Sequence, residues 1–385
     1  MNNHFWKAAL CAAMVPFALA GCGGGDDGGA QTGTLHVAMT DAPSCGFDHI
    51  YVTVSQVRVN ANTNASDNDA GWSTITLATP RKIDLLSLTN GVLADIGQTA
   101  LPAGQYQQIR LVLAPNQGNS LANSVVPTGG TEQALATPSA TQSGYKIIQP
   151  FTVQANTLVD LVLDFNACKS IVQRGNGTYA LKPVVTAIPT VVSGAISGYV
   201  APAEAGATVY AEQGGKVVRG TVADSTGKFV LSPLIQSSTQ GNYDVVIVQN
   251  NFASGIVRTV PVVVNTTTAV SVSNAPITLP ASTMSSVSGT VTASADALVR
   301  ALQTVDARAY EITSINANMD TGAYALNVPT AAPIVGTYSG SLPVALAASP
   351  AAAAQYTIEA DAASGATQST NVNATTSQSN VNFSF

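Results

Sequence analysis

The sequence predicts an all-β protein: three β-sandwich-like domains in tandem behind a flexible N-terminal segment. Three observations carry this. Apolar residues come in short β-branched bursts with a two-residue period, and no stretch sustains the 3.6-residue period of a long helix. The length, 385 residues, exceeds what a single hydrophobic core organises. A set of marks in the second half recurs at a spacing of about 90–100 residues, the size of a seven-strand sandwich.

The N-terminus comes first. Lys7 precedes an uncharged stretch from Ala8 to Ala20. It is shorter than the roughly 20 apolar residues that span a bilayer and suits the apolar region of a signal peptide. Leu19-Ala20-Gly21-Cys22 then resembles the bacterial lipobox. The resemblance implies cleavage after Gly21, a diacylglycerol on the Cys22 thiol and acylation of the new amino group. Two or three acyl chains hold a protein on a membrane where one is marginal. Gly23 after the cysteine, where an aspartate would signal retention, points to the outer membrane. Residues 1–21 are thus the expected lipoprotein signal peptide, and 22–33 the lipidated cysteine with a glycine-rich tether.

Charged residues make up 9% of the chain, with 15 Lys and Arg against 21 Asp and Glu and a net charge of -6. With no basic run to neutralise phosphates, a nucleic-acid partner is not expected. Cys11 leaves with the signal peptide and Cys22 takes the lipid, so Cys45 and Cys168 remain. An exported, oxidising address favours their pairing as a disulfide over two buried thiols.

The first folded domain is expected over 34–190. Leu35, Val37 and Met39 alternate with polar or small residues as a half-buried strand, which Asp41-Ala42-Pro43 ends. Ile50, Val52 and Val54 form the next face, and the register slips at Ser55-Gln56 before Val57 and Val59, predicting a β-bulge. Val125-Val126 and Ala134–Ala136 read as hairpin arms. Val159, Leu161, Leu163 and Phe165 face inward, leaving Asp160 and Asp164 together on the other face. Several of these marks, in order, resemble a known domain of unknown function in bacterial and archaeal surface lipoproteins. They are Thr40-Asp41-Ala42-Pro43, Tyr51-Val52-Thr53-Val54, Trp72, Asp84-Leu85-Leu86, Leu101-Pro102-Ala103-Gly104-Gln105-Tyr106, Leu163-Asp164-Phe165 and Leu181-Lys182-Pro183-Val184. The resemblance implies an extracytoplasmic β-sandwich-like domain without an assigned activity.

Two further sandwiches are expected, over 193–280 and 285–385, with linkers at Pro189–Ser193 and Ala275–Ser286. Ile196-Ser197-Gly198-Tyr199-Val200 returns as Val287-Ser288-Gly289-Thr290-Val291. The Asp224–Leu231 turn and strand return at Asp320–Leu326, and Gly241-Asn242-Tyr243 is matched to Gly336-Thr337-Tyr338. In each, Asp and Gly make a tight turn and the following aromatic enters the core. These marks resemble the carboxypeptidase-regulatory-like, transthyretin-type sandwich, the second copy more loosely.

No catalytic constellation emerges. His36 and His49 lack metal-ligand spacing, and there is no nucleophile elbow or phosphate loop. Asp160 and Asp164, with Asp41 and Asp84 as neighbours, are weak candidates for a hard cation such as calcium; solvated carboxylates are the preferred reading. Trp72 is a candidate for stacking on a sugar, against the commoner core role. No cofactor beyond the lipid on Cys22 is expected. The function expected is a non-catalytic cell-envelope lipoprotein, a surface-exposed binding or scaffold protein with an envelope protein or glycan as ligand. The alternatives are an envelope enzyme or enzyme subunit with a carboxylate site in 34–190, and a purely structural spacer.

Overall fold

The computed structural model describes residues 31–41, 46–118, 120–182, 184–190, 193–236, 241–293 and 296–385. Gly21, Cys22 and Cys45 lie outside the described residues. The fold is all-β, with several sandwiched sheets, and the longest α-helix described is the four-residue α1 (Ala167–Ser170).

The first unit contains β1 (Thr32–Asp41), β2 (Phe47–Asn60), β3 (Ser73–Asp84), β4 (Ala94–Pro102), β5 (Gly104–Leu113) and β6 (Ser124–Pro127). It continues through β7 (Gln133–Ala136), β8 (Tyr145–Val153), β9 (Leu158–Phe165), β10 (Ile171–Gln173), β11 (Tyr179–Leu181) and β12 (Val185–Pro189). A four-stranded sheet, β12-β9-β1-β4, packs on an eight-stranded one in the order β10-β11-β7-β6-β2-β5-β8, with β3 beside β2. The alternation in β1 and β9 is what builds the core: Leu35, Val37, Met39, Leu161, Leu163 and Phe165 are all buried against β2 and β5. The expected bulge is present, since the register of β2 shifts between Val54 and Gln56 against both β3 and β5. β6 and β7 form the expected hairpin.

The second unit runs through β13 (Ser193–Tyr199), β14 (Thr208–Gln213), β15 (Lys216–Val222), β16 (Lys228–Ile235), β17 (Tyr243–Val248), β18 (Gly255–Val260) and β19 (Thr267–Ala269). The third has β20 (Met284–Thr292), β21 (Leu298–Val305), β22 (Arg308–Asn316), β23 (Ala323–Pro329), β24 (Ile334–Thr337), β25 (Ala347–Ala348), β26 (Gln355–Asp361), β27 (Thr367–Asn373) and β28 (Phe383–Ser384). Sheet order β16-β13-β19 in one matches β23-β20-β28 in the other, and β15-β14-β17-β18 matches β22-β21-β26-β27. Gly227 and Gly322 hold equivalent turns at φ +79° and +67°. A Cβ on either would fall on the carbonyl oxygen of Val200 or Val291.

Two expectations need correction. The strand in the place of β17 is β26, so Tyr356 rather than Tyr338 is the counterpart of Tyr243. Their hydroxyls donate to Pro329 O at 2.7 Å and Ile235 O at 2.9 Å, each at the end of an equivalent strand. The segment from β24 to β25, ahead of β26, misleads the sequence match. It leaves the third unit, pairs β24 in parallel with β18, and buries Ile334 and Val344 in the second core. Nor is Ala275–Ser286 a free linker along its whole length: Ile277 and Leu279 are buried in that same core, and Ala201 N–H donates to Ile277 O at 2.8 Å.

Candidate functional site: an uncharged groove beside buried ionic joints

The outer face of β1 and β9 carries Asp160 and Asp164, as alternation requires, but it is divided between two environments. At its open end His36 bridges two carboxylates, with Nδ1 2.7 Å from Asp160 and Nε2 3.0 Å from Asp95. Burial works against the charged ring, but the hydrogen bonds and charges of Asp160 and Asp95 outweigh it and raise the His36 pKa. At the other end the second unit covers the face. Asp164 pairs there with Arg219 of β15, and both side chains are almost wholly buried. Burial pushes the Asp164 carboxyl up to about 6 against the opposing charge of Arg219. Desolvation likewise lowers the Arg219 pKa, opposed by Asp164 and then Asp41.

The four carboxylates suggested for a cation are therefore not gathered at one site, and the two that lie near each other, Asp164 and Asp41, face the Arg219 cation. Asp160 is held by His36 and Asp164 by Arg219. Asp41 accepts from Ala167 N–H at 2.9 Å near the start of α1. Asp84 is elsewhere, on the other sheet, 2.7 Å from His49 Nδ1 and accepting from Ile50 and Leu86 N–H. Among the described residues no group of three or more His, Cys, Asp or Glu has the geometry of a metal site. His49 has the orientation of a general base held by a carboxylate, but among the described residues no hydroxyl or thiol hydrogen-bonds to its Nε2. The Trp72 ring is occupied as well: Arg58 lies 4.6 Å and Arg110 5.5 Å from its centroid.

Buried charge joins all three units. Lys169 Nζ, from the first, is 2.8 Å from Glu311 Oε1 of the third. Arg300 contacts Glu311 Oε2 at 3.2 Å, Asp361 at 3.0 Å and Glu359, and donates to Gly215 O of the second unit. Glu311 N–H donates to Glu212 Oε2 at 3.1 Å. Burial, with Glu311 nearby, raises the Glu212 pKa well above the usual carboxylate range. Asn90, at φ +57°, docks the first unit on the second: its N–H donates to Thr221 Oγ1 at 2.8 Å and its Oδ1 accepts from Val230 N–H at 3.0 Å. Sequence reasoning missed these residues. A partial signal was available: Arg300 is the one charged residue of β21, and Arg219 and Glu311 sit mid-strand in a sparsely charged chain.

Between the first and third units lies a groove of about 760 Å³. Phe47, Cys168, Tyr179, Ile315, Asn316 and Tyr324 are among its lining residues, and none of the described lining residues is charged. Phe47 and Tyr179 meet edge to face at 5.6 Å, fixing one wall. Asn316 closes the joint by donating to Lys169 O at 2.9 Å and Ile171 O at 3.2 Å. The lining combines aromatic rings with amides and hydroxyls. It offers apolar contact and neutral hydrogen bonds, and among the described lining residues no acid, base or ion pair for a ligand.

No curated protein matches the chain. Among solved structures, an N-terminal interface mutant of a type II cohesin–X-dockerin complex from Acetivibrio cellulolyticus is similar at 27% identity and a TM-score of 0.19. That likeness covers 23% of this chain and 58% of the other. A variant of BcpA, the major pilin subunit of Bacillus cereus, is similar at 9% identity and a TM-score of 0.13, over 92% of this chain and 99% of the other. At those TM-scores neither likeness bears on fold or function. Residues 32–183, which span β1 to β11 of the first unit, match the family model described as Domain of unknown function (DUF4382).

Proposed function

We propose that the protein is a non-catalytic cell-envelope lipoprotein whose jointed sandwiches present the groove to an uncharged ligand, a glycan of the envelope. The observation that carries this reading is the lining, which has aromatic side chains and neutral polar groups and no described charge. In this reading Cys22 bears the lipid after cleavage behind Gly21, the anchor lies in the outer membrane, and Cys45 pairs with Cys168. Gly46, next to Cys45, lines the same groove as Cys168, which supports that pairing. The matching strand orders of the second and third units support duplicated sandwiches of the transthyretin type.

A screen of glycans and envelope fractions tests the reading, with Ile315→Asp as the comparison. Ile315 is 40% exposed, so the substitution charges the groove and leaves the core intact. Binding that disappears in the variant, with Tm unchanged, is the expected result. Binding that the variant retains would place the ligand elsewhere. Palmitate labelling lost in Cys22→Ala, and a 45–168 disulfide in non-reducing peptide maps, are expected alongside.

A further inference from the structure

Strand edges expose unpaired amides and carbonyls, and proteins protect them with proline, charge, bulges or shortness. Among the described strands that end a sheet, β3, β4, β8, β12, β16 and β23 each contain a proline, and β15 and β22 carry arginine. β10, β19, β25 and β28 have three residues or fewer. β27 is different. Thr367-Gln368-Ser369-Thr370-Asn371-Val372-Asn373 has seven residues, no proline and no charge, and its register with β26 is unbroken. Five of its neutral residues besides Gln368 and Val372 are exposed, and among the described residues its backbone pairs with β26 alone.

The chain itself shows what such an edge accepts. β18 holds the same place in the second unit's sheet, and there β24 adds a further strand. We infer that the β27 edge is an interface with a second copy of this chain, the two β27 strands pairing antiparallel about a two-fold axis near Thr370. In that register Thr367 faces Asn373, Gln368 faces Val372, Ser369 faces Asn371 and Thr370 faces its own copy. Gln368 is engaged by Ser384 and Val372 is buried, so the exposed pairs are the neutral hydrogen-bonding ones, with no like charges opposed, which makes the edge complementary to itself. The two four-stranded sheets would join into one of eight.

Sedimentation velocity of the full chain in detergent, from about 1 to 100 µM, tests this with two variants. The wild type is expected to reach the mass of a dimer. Thr370→Lys, which opposes two ammonium groups across the axis, is expected to remain a monomer with Tm unchanged. Thr370→Cys is expected to form a dimer whose peptide map contains a 370–370 disulfide. A wild type that stays monomeric at the highest concentration overturns the inference. So does a dimer that survives Thr370→Lys, or one whose Thr370→Cys form lacks the 370–370 link.

Discussion

His36 shows how one residue's neighbours set a pH response. Its folded pKa is raised, so the stability it contributes is fully present below the unfolded histidine value near 6.5 and is lost as pH rises through the higher folded value. The Tm should therefore fall as pH rises from about 6.5 through that higher folded value, and His36→Gln should flatten that fall. Thermal melts across the window check this; equal slopes in the two proteins would mean that His36 is not the group responsible. The ring is part-exposed, so solvent screening keeps the effect modest. The His36–Asp160 neighbourhood was half legible in the sequence. Alternation places both residues outward, but only the parallel register of β1 with β9 sets them opposite each other.

At the scale of elements, local pattern was enough wherever partners are near in sequence. The bulge at Val54–Gln56 and the β6–β7 hairpin both follow from alternation broken by turn residues. Tyr338 was misassigned because the motif Gly-x-Tyr recurs inside an insert, and nothing local reveals that β24 pairs with another unit. That exchange predicts a remote effect. Val344 belongs to the third unit's sequence but is buried in the second core. Val344→Ala should cost about 1–3 kcal/mol and loosen hydrogen exchange in β18, over Gly255–Val260, before it loosens β26. Loosening confined to the third unit would contradict the exchange.

Across the whole molecule, buried ion pairs run through the joints beside neutral contacts, and such pairs are costly to break from one side. Arg219→Met should destabilise by about 3–5 kcal/mol, because it strands the Asp164 carboxylate. Asp164→Leu combined with Arg219→Met should recover most of that loss, as an apolar pair needs no solvation. Denaturant midpoints of the two variants measure the difference; a double variant no better than the single would mean that Asp164 and Arg219 act independently. These joints were illegible as contacts, since Lys169, Glu212, Arg300 and Glu311 come from three separate units. The groove was illegible for the same reason: Tyr179 and Ile315 are far apart in the chain and meet only when the first and third units dock.

The claim that the ligand is recognised by neutral groups is tested most directly by salt. Binding of the strongest glycan from the screen should be measured at about 50 and 500 mM NaCl, conditions between which exposed charge–charge attraction is largely screened. An affinity unchanged within about twofold is predicted by an uncharged groove. A loss of tenfold or more at high salt would contradict it and place recognition on charged residues outside the groove.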